Sequence, residues 1–241
     1  MIDQWEEIEC AICRTREFST KRHDFAQASY WQCKKCGLVY LSPRPVESQA
    51  VAIYDSKDYF SGEGSGYLDY EGDAASYYKT FSRRLNYIKQ YKSGGRLLDV
   101  GCGTGYFLEV AHRGGFEVNG VDLSSYAVAS ASAKFPQKVF LGTVEDAALK
   151  SLKFDVITMF DLFEHIYRPF DFAQRLNGML NEGGVVALTT PNYNSLLRKC
   201  LGNKTVSFKV PEHVYYYTLE TIRIVTKDCF QIVASCPEGQ Y

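Results

Sequence analysis

The 241-residue chain predicts an α/β fold, a parallel sheet with helices on both faces joined to a small cysteine-bearing module, on three observations. Short apolar runs alternate with helical stretches from about residue 96 onward, the pattern of strands connected by crossover helices. A glycine-rich turn, Gly101-Cys102-Gly103-Thr104-Gly105, joins the first of those runs to a helix, and two Cys-x-x-Cys pairs precede all of this. Composition is that of an ordinary globular protein, 46% hydrophobic and 23% charged, which excludes disorder and fibrous repeats. Lys plus Arg number 27 against 28 for Asp plus Glu, a formal charge of −1, so a broad nucleic-acid or anionic-membrane footprint is not expected. No apolar run approaches the ~20 residues needed to span a bilayer. The N-terminus, Met1-Ile2-Asp3-Gln4-Trp5-Glu6-Glu7, is acidic where a signal peptide would be basic and then apolar, and a cytoplasmic protein is expected.

In chain order, Cys10 and Cys13 form one pair and Cys33 and Cys36 a second, after a 19-residue spacer. Each pair makes a tight knuckle that presents two sulfurs to one tetrahedral ion, so a structural zinc site is expected, in a ribbon over residues 1–45 too small to build its own core. That segment holds seven Lys/Arg and six Asp/Glu, and is not a basic nucleic-acid finger. Residues 46–92 read as a helical lid or linker. Val46 to Tyr54 has helical spacing, an aromatic, glycine-rich segment with Tyr59, Phe60, Gly62, Gly64, Gly66, Tyr67 and Tyr70 follows, and a helix runs from about Ala74 to Lys92. Phe81, Arg84 and Tyr87 on that helix read as packing and surface positions. The remainder, 93–241, carries candidate strands at 96–100, 117–121, 138–141, 154–160 and 184–190, with helices near 105–114, 124–134 and 169–181 between them. A helix at 218–229 and a strand at 230–235 complete the pattern.

The glycines of the 101–105 turn let a ligand approach the backbone closely, although such turns are common for packing alone. Two carboxylates sharpen the reading. Asp99 stands at the end of the first strand, unsuited to pyrophosphate but suited to a ligand ammonium. Asp122 ends the second strand, 17 residues past Gly105, where a carboxylate accepts both hydroxyls of a ribose.

With Leu97-Leu98-Asp99-Val100-Gly101-Cys102-Gly103-Thr104-Gly105, Asp122, Gly142-Thr143-Val144-Glu145-Asp146 and Phe160-Asp161-Leu162-Phe163-Glu164-His165-Ile166 in place, the segment from about 96 to 235 resembles class I S-adenosylmethionine-dependent methyltransferases. The cysteine pairs, the Cys36–Pro45 stretch and Pro211-Glu212-His213 extend the resemblance to zinc-ribbon-bearing methyltransferases of sugar and polysaccharide pathways. It implies a Rossmann-like sheet, S-adenosylmethionine as cofactor and a small, saccharide-related acceptor methylated on carbon or oxygen. It further implies that Gly101, Gly103 and Gly105 border the methionyl part, that Asp122, with Leu123 beside it, binds the ribose, and that Thr143, Val144 and Glu145 face the adenine. Thr143 stands where many relatives carry an acidic residue, leaving Glu145, Asp146 or backbone atoms for that role. The family's usual seventh strand has no counterpart before Tyr241.

The chemistry falls to two segments. His213 is the leading general base, an imidazole being easily poised near neutral pH; the resemblance suggests Glu212 assists it. Tyr215, Tyr216 and Tyr217 stack on a ring or pack. Asp161, Glu164 and His165, spaced i, i+3, i+4, share a face if they lie on one helical turn. One reading, by resemblance to quinone-pathway O-methyltransferases, is a divalent-cation site; in the favoured reading Asp161 caps the turn while Glu164 and His165 border the methionyl or substrate pocket without metal, with Phe160 and Asp161 expected at the cofactor and His165 among the catalytic residues. Two further functions stay open: an RNA base methyltransferase guided by the ribbon, and a cofactor-binding protein without turnover.

Overall fold

The computed structural model describes residues 2–54, 74–195, 199–200 and 208–236. The aromatic segment 59–70, expected as a lid, lies outside the described residues. The chain forms two compact units, one built from Val46–Phe163 and Gly178–Thr189, the other from Asp3–Pro45, Glu164–Asn177 and Thr190–Tyr241.

The second unit begins with the cysteine ribbon. Strand β1 (Trp5–Glu6) pairs antiparallel with β5 (Arg44–Pro45), while β2 (Ser19–Asp24), β3 (Ser29–Cys33) and β4 (Val39–Ser42) form a meander. β4 is buried at every position, as a strand covered on both faces must be.

The first unit holds the parallel sheet. After α1 (Glu47–Tyr54) and α2 (Ala74–Ile88), the strands are β6 (Gly95–Val100), β7 (Phe116–Asp122), β8 (Val139–Leu141), β9 (Phe154–Phe160) and β10 (Leu180–Thr189), in the order β10-β9-β6-β7-β8 in space. Helices α3 (Tyr106–Arg113) and α4 (Ser125–Lys134) connect them, and α5 (Pro169–Met179), most of which belongs to the second unit, precedes β10 in the chain. Every pairing is parallel, so each crossover returns to the same end and the carboxyl ends of the strands share one edge. The core packs Phe81 and Leu85 of α2 with Phe107, Leu108 and Ala111 of α3 and Leu97 and Val156 of the sheet. Ser124 caps α4 by accepting a bond from the Ala127 N–H, the usual use of serine there.

The strand expected at 184–190 is β10, which the ladder extends back to Leu180 through an irregularity before Val185. Among the described residues the sheet stops at five strands, and no described helix is long and apolar enough to cross a membrane.

The second unit is completed by β11 (Tyr215–Tyr216), which pairs antiparallel with β4 to give the order β11-β4-β3-β2, and by α6 (Leu219–Thr226). Thr218 and Thr221 close a reciprocal capping box at the start of α6. The strand expected at 230–235 does not form: these residues have no ladder partner and Val233 is 66% exposed, and an apolar run with nothing to pair with has no reason to stay extended as a strand.

Candidate functional site

At the carboxyl edge of the parallel sheet, the turn from β6 to α3 carries three glycines with left-handed backbone: Gly101 at φ 73°, Gly103 at 52° and Gly105 at 88°. Only residues without a Cβ take such values routinely, so the turn presents backbone where other sequences present side chains. Gly101 is exposed, and its N–H donates to the Val121 carbonyl at 2.8 Å, which ties the turn to β7. Asp122, ending β7, accepts from the Gly103 N–H (2.8 Å) on one oxygen and from the Ser124 N–H (2.9 Å) on the other. A carboxylate has about four acceptor positions, so both oxygens keep capacity for a vicinal diol. Burial raises the Asp122 carboxyl above its usual range, and the bonds from Ser124 and Gly103 work against that rise.

Asp99 is 3% exposed and accepts from the Thr158 hydroxyl at 2.6 Å. Burial pushes its carboxyl up to about 8, the Thr158 bond opposing and the charge of Asp122 adding. An acid held in this state is a latent anion that a cationic ligand would draw out. Thr143 and Glu145 form a local turn, the Glu145 N–H donating to Thr143 Oγ1 at 3.1 Å and the Thr143 N–H to Asp146 at 2.7 Å, with Val144 buried beneath. The Asp146 carboxylate is thus engaged by its own loop.

Arg84, read from sequence as a packing or surface position, packs beside the end of β9. Its guanidinium lies 4.6 Å from the Phe160 ring centroid and 3.6 Å from the Asp161 carboxylate, with only 11% of its side chain exposed. It also acts electrostatically on Asp99. Tyr77, Phe81, Arg84 and Ile88 follow i, i+4, i+7, i+11, which places the arginine on the buried stripe of α2.

Asp161 has φ 54°, so it cannot start the helical turn that would align it with Glu164 and His165, nor cap it in the usual extended conformation. It instead accepts from the Thr189 hydroxyl at 3.1 Å and pairs with Arg84. What gathers in the second unit is Glu164, His165 and His213, each offering one ligand atom within 4.8 Å of the others. His213 Nε2 lies 4.0 Å from Glu164 Oε1, the two rings sit 4.7 Å apart edge to face, and both Glu164 and His213 are buried. His165 Nδ1 donates to the Glu212 carbonyl at 2.9 Å; a carbonyl only accepts, so the neutral ring keeps its lone pair on Nε2. Glu212 is buried as well. The sequence reading did not pair Glu164 with His213. Such a cluster can hold a proton between a carboxylate and an imidazole, or a cation among all three.

The four ribbon cysteines Cys10, Cys13, Cys33 and Cys36 also gather, with their sulfurs within 4.8 Å of one another. The Cys10 and Cys36 sulfurs are 3.4 Å apart; bonds of 2.3 Å to a tetrahedral zinc put sulfurs about 3.8 Å apart. Each knuckle is closed by the same backbone bond, Arg14 N–H to the Cys10 carbonyl and Gly37 N–H to the Cys33 carbonyl, both 2.8 Å. The hydrogen bond between Cys10 and Cys36 holds the first thiol low and pushes the second up, and a bound cation would displace the protons that such thiols keep. The donor set fits zinc.

The model of a family described as a methyltransferase domain matches residues 71–228. A ubiquinone biosynthesis O-methyltransferase of Proteus mirabilis is 31% identical over 146 residues, covering 57% of this chain and 60% of that protein, so the match spans less than two thirds of the relative's length. One from Photorhabdus laumondii is 28% identical over 183 residues, 71% of this chain and 73% of that one. Among solved structures, a methyltransferase from Archaeoglobus fulgidus that depends on S-adenosylmethionine superposes with a TM-score of 0.53 at 23% identity, covering 70% of this chain and 72% of that one. A Pyrococcus horikoshii protein gives 0.55 at 20% identity, covering 68% and 87%. With the family model spanning most of the chain, and with the strand order and glycine turn described above, the chain belongs to the methyltransferase-domain family, the class I S-adenosylmethionine-dependent methyltransferases.

Proposed function

We propose that the protein transfers a methyl group from S-adenosylmethionine to a small, saccharide-related acceptor, at carbon or oxygen, with His213 as general base and a structural zinc on the four cysteines. The observation that carries it is the Gly101–Gly105 turn bonded to Asp122 at the carboxyl edge of the sheet. When bound, S-adenosylmethionine supplies a sulfonium methyl open to in-line displacement. Asp122 accepts from the ribose hydroxyls, the exposed backbone at Gly101 follows the methionyl chain, Asp99 faces its ammonium and Arg84 its carboxylate. Val144 and the Thr143–Glu145 turn cover the adenine. Displacement needs alignment more than reactive groups. The acceptor's proton passes to the Nε2 lone pair of His213, Nδ1–H donating to the Tyr216 hydroxyl; the Glu164 carboxylate, 4.0 Å from Nε2, stabilises the imidazolium that forms. His165 and Glu212 hold the loop beside it.

Support for a saccharide is the joint presence of the cysteine ribbon and the Pro211-Glu212-His213 segment. A phenolic acceptor is the second reading, favoured by the named activity of the Proteus and Photorhabdus relatives. Label transfer from methyl-labelled S-adenosylmethionine to nucleotide-linked keto-sugars, amino-sugars and catechols separates the two. On the true acceptor, His213→Gln lowers kcat by about 10²–10⁴-fold, the usual contribution of a positioned base, with cofactor affinity unchanged. Label in catechols alone overturns the saccharide class, and full activity of His213→Gln removes it as base.

A further inference from the structure

The turn that joins β3 to β4 is itself the second cysteine knuckle: β3 ends at Cys33, β4 begins at Val39, and Cys36 lies between them. The Cys33 N–H donates to the Leu38 carbonyl at 2.9 Å, across that turn. The strand that follows His213 pairs with this hairpin, Tyr215 opposite Tyr40 and Tyr216 opposite Val39, and the Leu41 N–H donates to the Val214 carbonyl at 3.0 Å. β11 has only two residues, and a strand so short takes its conformation from its partner rather than from itself.

Two tyrosines carry the connection from the hairpin to the imidazole. Tyr30 of β3, fully buried, donates its hydroxyl to the His213 carbonyl at 2.7 Å and sets its ring 5.1 Å from that of Tyr216. The Tyr216 hydroxyl meets His213 Nδ1 at 3.0 Å. With Nδ1 engaged there, the ring has one orientation left, and in it Nε2 faces Glu164. All of these residues belong to the same compact unit.

We infer that the four-cysteine site is the anchor of His213: an ion on Cys10, Cys13, Cys33 and Cys36 clamps the β3–β4 turn, β11 pairs with the clamped hairpin, and Tyr30 and Tyr216 are positioning residues that set the imidazole. This rests on the reading of the cysteines as a metal site and of His213 as the base. A ribbon whose metal served only its own fold would leave the histidine alone. The opposing expectation is that the apolar cluster of Tyr30, Val39, Leu41, Tyr193 and Tyr216 holds the sheet without any ion.

The test is nitrogen-15 NMR of the histidine rings in the full chain, which has four histidines, with His213 assigned by the loss of its signals in His213→Gln. In the zinc-loaded protein His213 shows the shifts of a single hydrogen-bonded ring. Removing zinc with a chelator at constant pH moves those signals to the averaged values of a free imidazole. His112, on α3 in the other unit, stays in place, and the Kd for S-adenosylhomocysteine changes by less than about twofold, as for independent sites. Unchanged His213 signals in the stripped protein overturn the proposal. Should stripping unfold the whole chain, Tyr30→Phe decides: loaded with one zinc per chain, it shifts the His213 ring signals if the anchor is real and leaves them if it is not. Failure of the zinc-loaded wild type to bind S-adenosylhomocysteine counts against the methyltransferase reading instead, since the ring spectrum needs no cofactor.

Discussion

Asp99 is held far from the ordinary state of a carboxyl group. Its folded carboxyl titrates near 8 against a usual value of 3.8, so the folded chain holds this proton more tightly than the unfolded chain does. The linked contribution is fully present below the usual value and is lost as pH rises through about 8. Asp99→Asn keeps the shape and removes the titration. Its Tm is therefore expected to exceed that of the wild type by more at about pH 8.5 than at about pH 5, while its affinity for S-adenosylmethionine falls by about 10-fold or more through the lost ammonium partner. Equal pH dependence of the two melting curves would exclude the shift. Asp99, Asp122 and the three glycines were legible in the sequence because they lie together at the ends of two strands. The packing of Arg84 was legible in the helical stripe it shares with Phe81 and Ile88. The Glu164–His213 pair was not, since its members stand 49 residues apart and only the fold brings them to 4.0 Å.

Elements obey the same division between local and distant causes. Each of the five parallel strands announced itself as an apolar run, and the helices between them followed from spacing and caps such as Ser124. The segment 230–235 carried the same signal and made no strand, because a strand also needs a neighbour to bond to and sequence does not say where the neighbour is. The turn at Asp161 failed for a backbone reason, its left-handed φ, which a non-glycine residue rarely announces. Packing between β7 and α3 is tight at one point: a Cβ on Gly120 would lie 2.7 Å from Cys102 Sγ and 2.9 Å from Leu108 Cδ1. Gly120→Ala must push the glycine turn or the helix aside, and a loss of about 1–3 kcal/mol in denaturant unfolding is expected. A loss under a few tenths of that would show that the turn yields freely.

At the scale of the whole chain, the two larger sheets among the described residues divide the work. The parallel one aligns its carboxyl edge so that Asp99, the glycine turn, Asp122 and the Thr143–Glu145 turn are offered together, while the antiparallel one joins the cysteine knuckles to the strand after His213. The ribbon was legible as a motif, but its fourth strand was not, because β11 comes from the far end of the sequence. The near-neutral charge, −1 over the chain, accords with a small acceptor rather than a polyanion. Everything proposed for the chemistry depends on the cofactor edge of the parallel sheet. Calorimetric titration of the full, zinc-loaded chain with S-adenosylhomocysteine, repeated on Asp122→Ala, tests it directly. The account predicts binding with a Kd of about 1–100 μM, some −5 to −8 kcal/mol, weakened about 10-fold or more in the variant; no binding by the folded wild type, or equal binding by both, would contradict it.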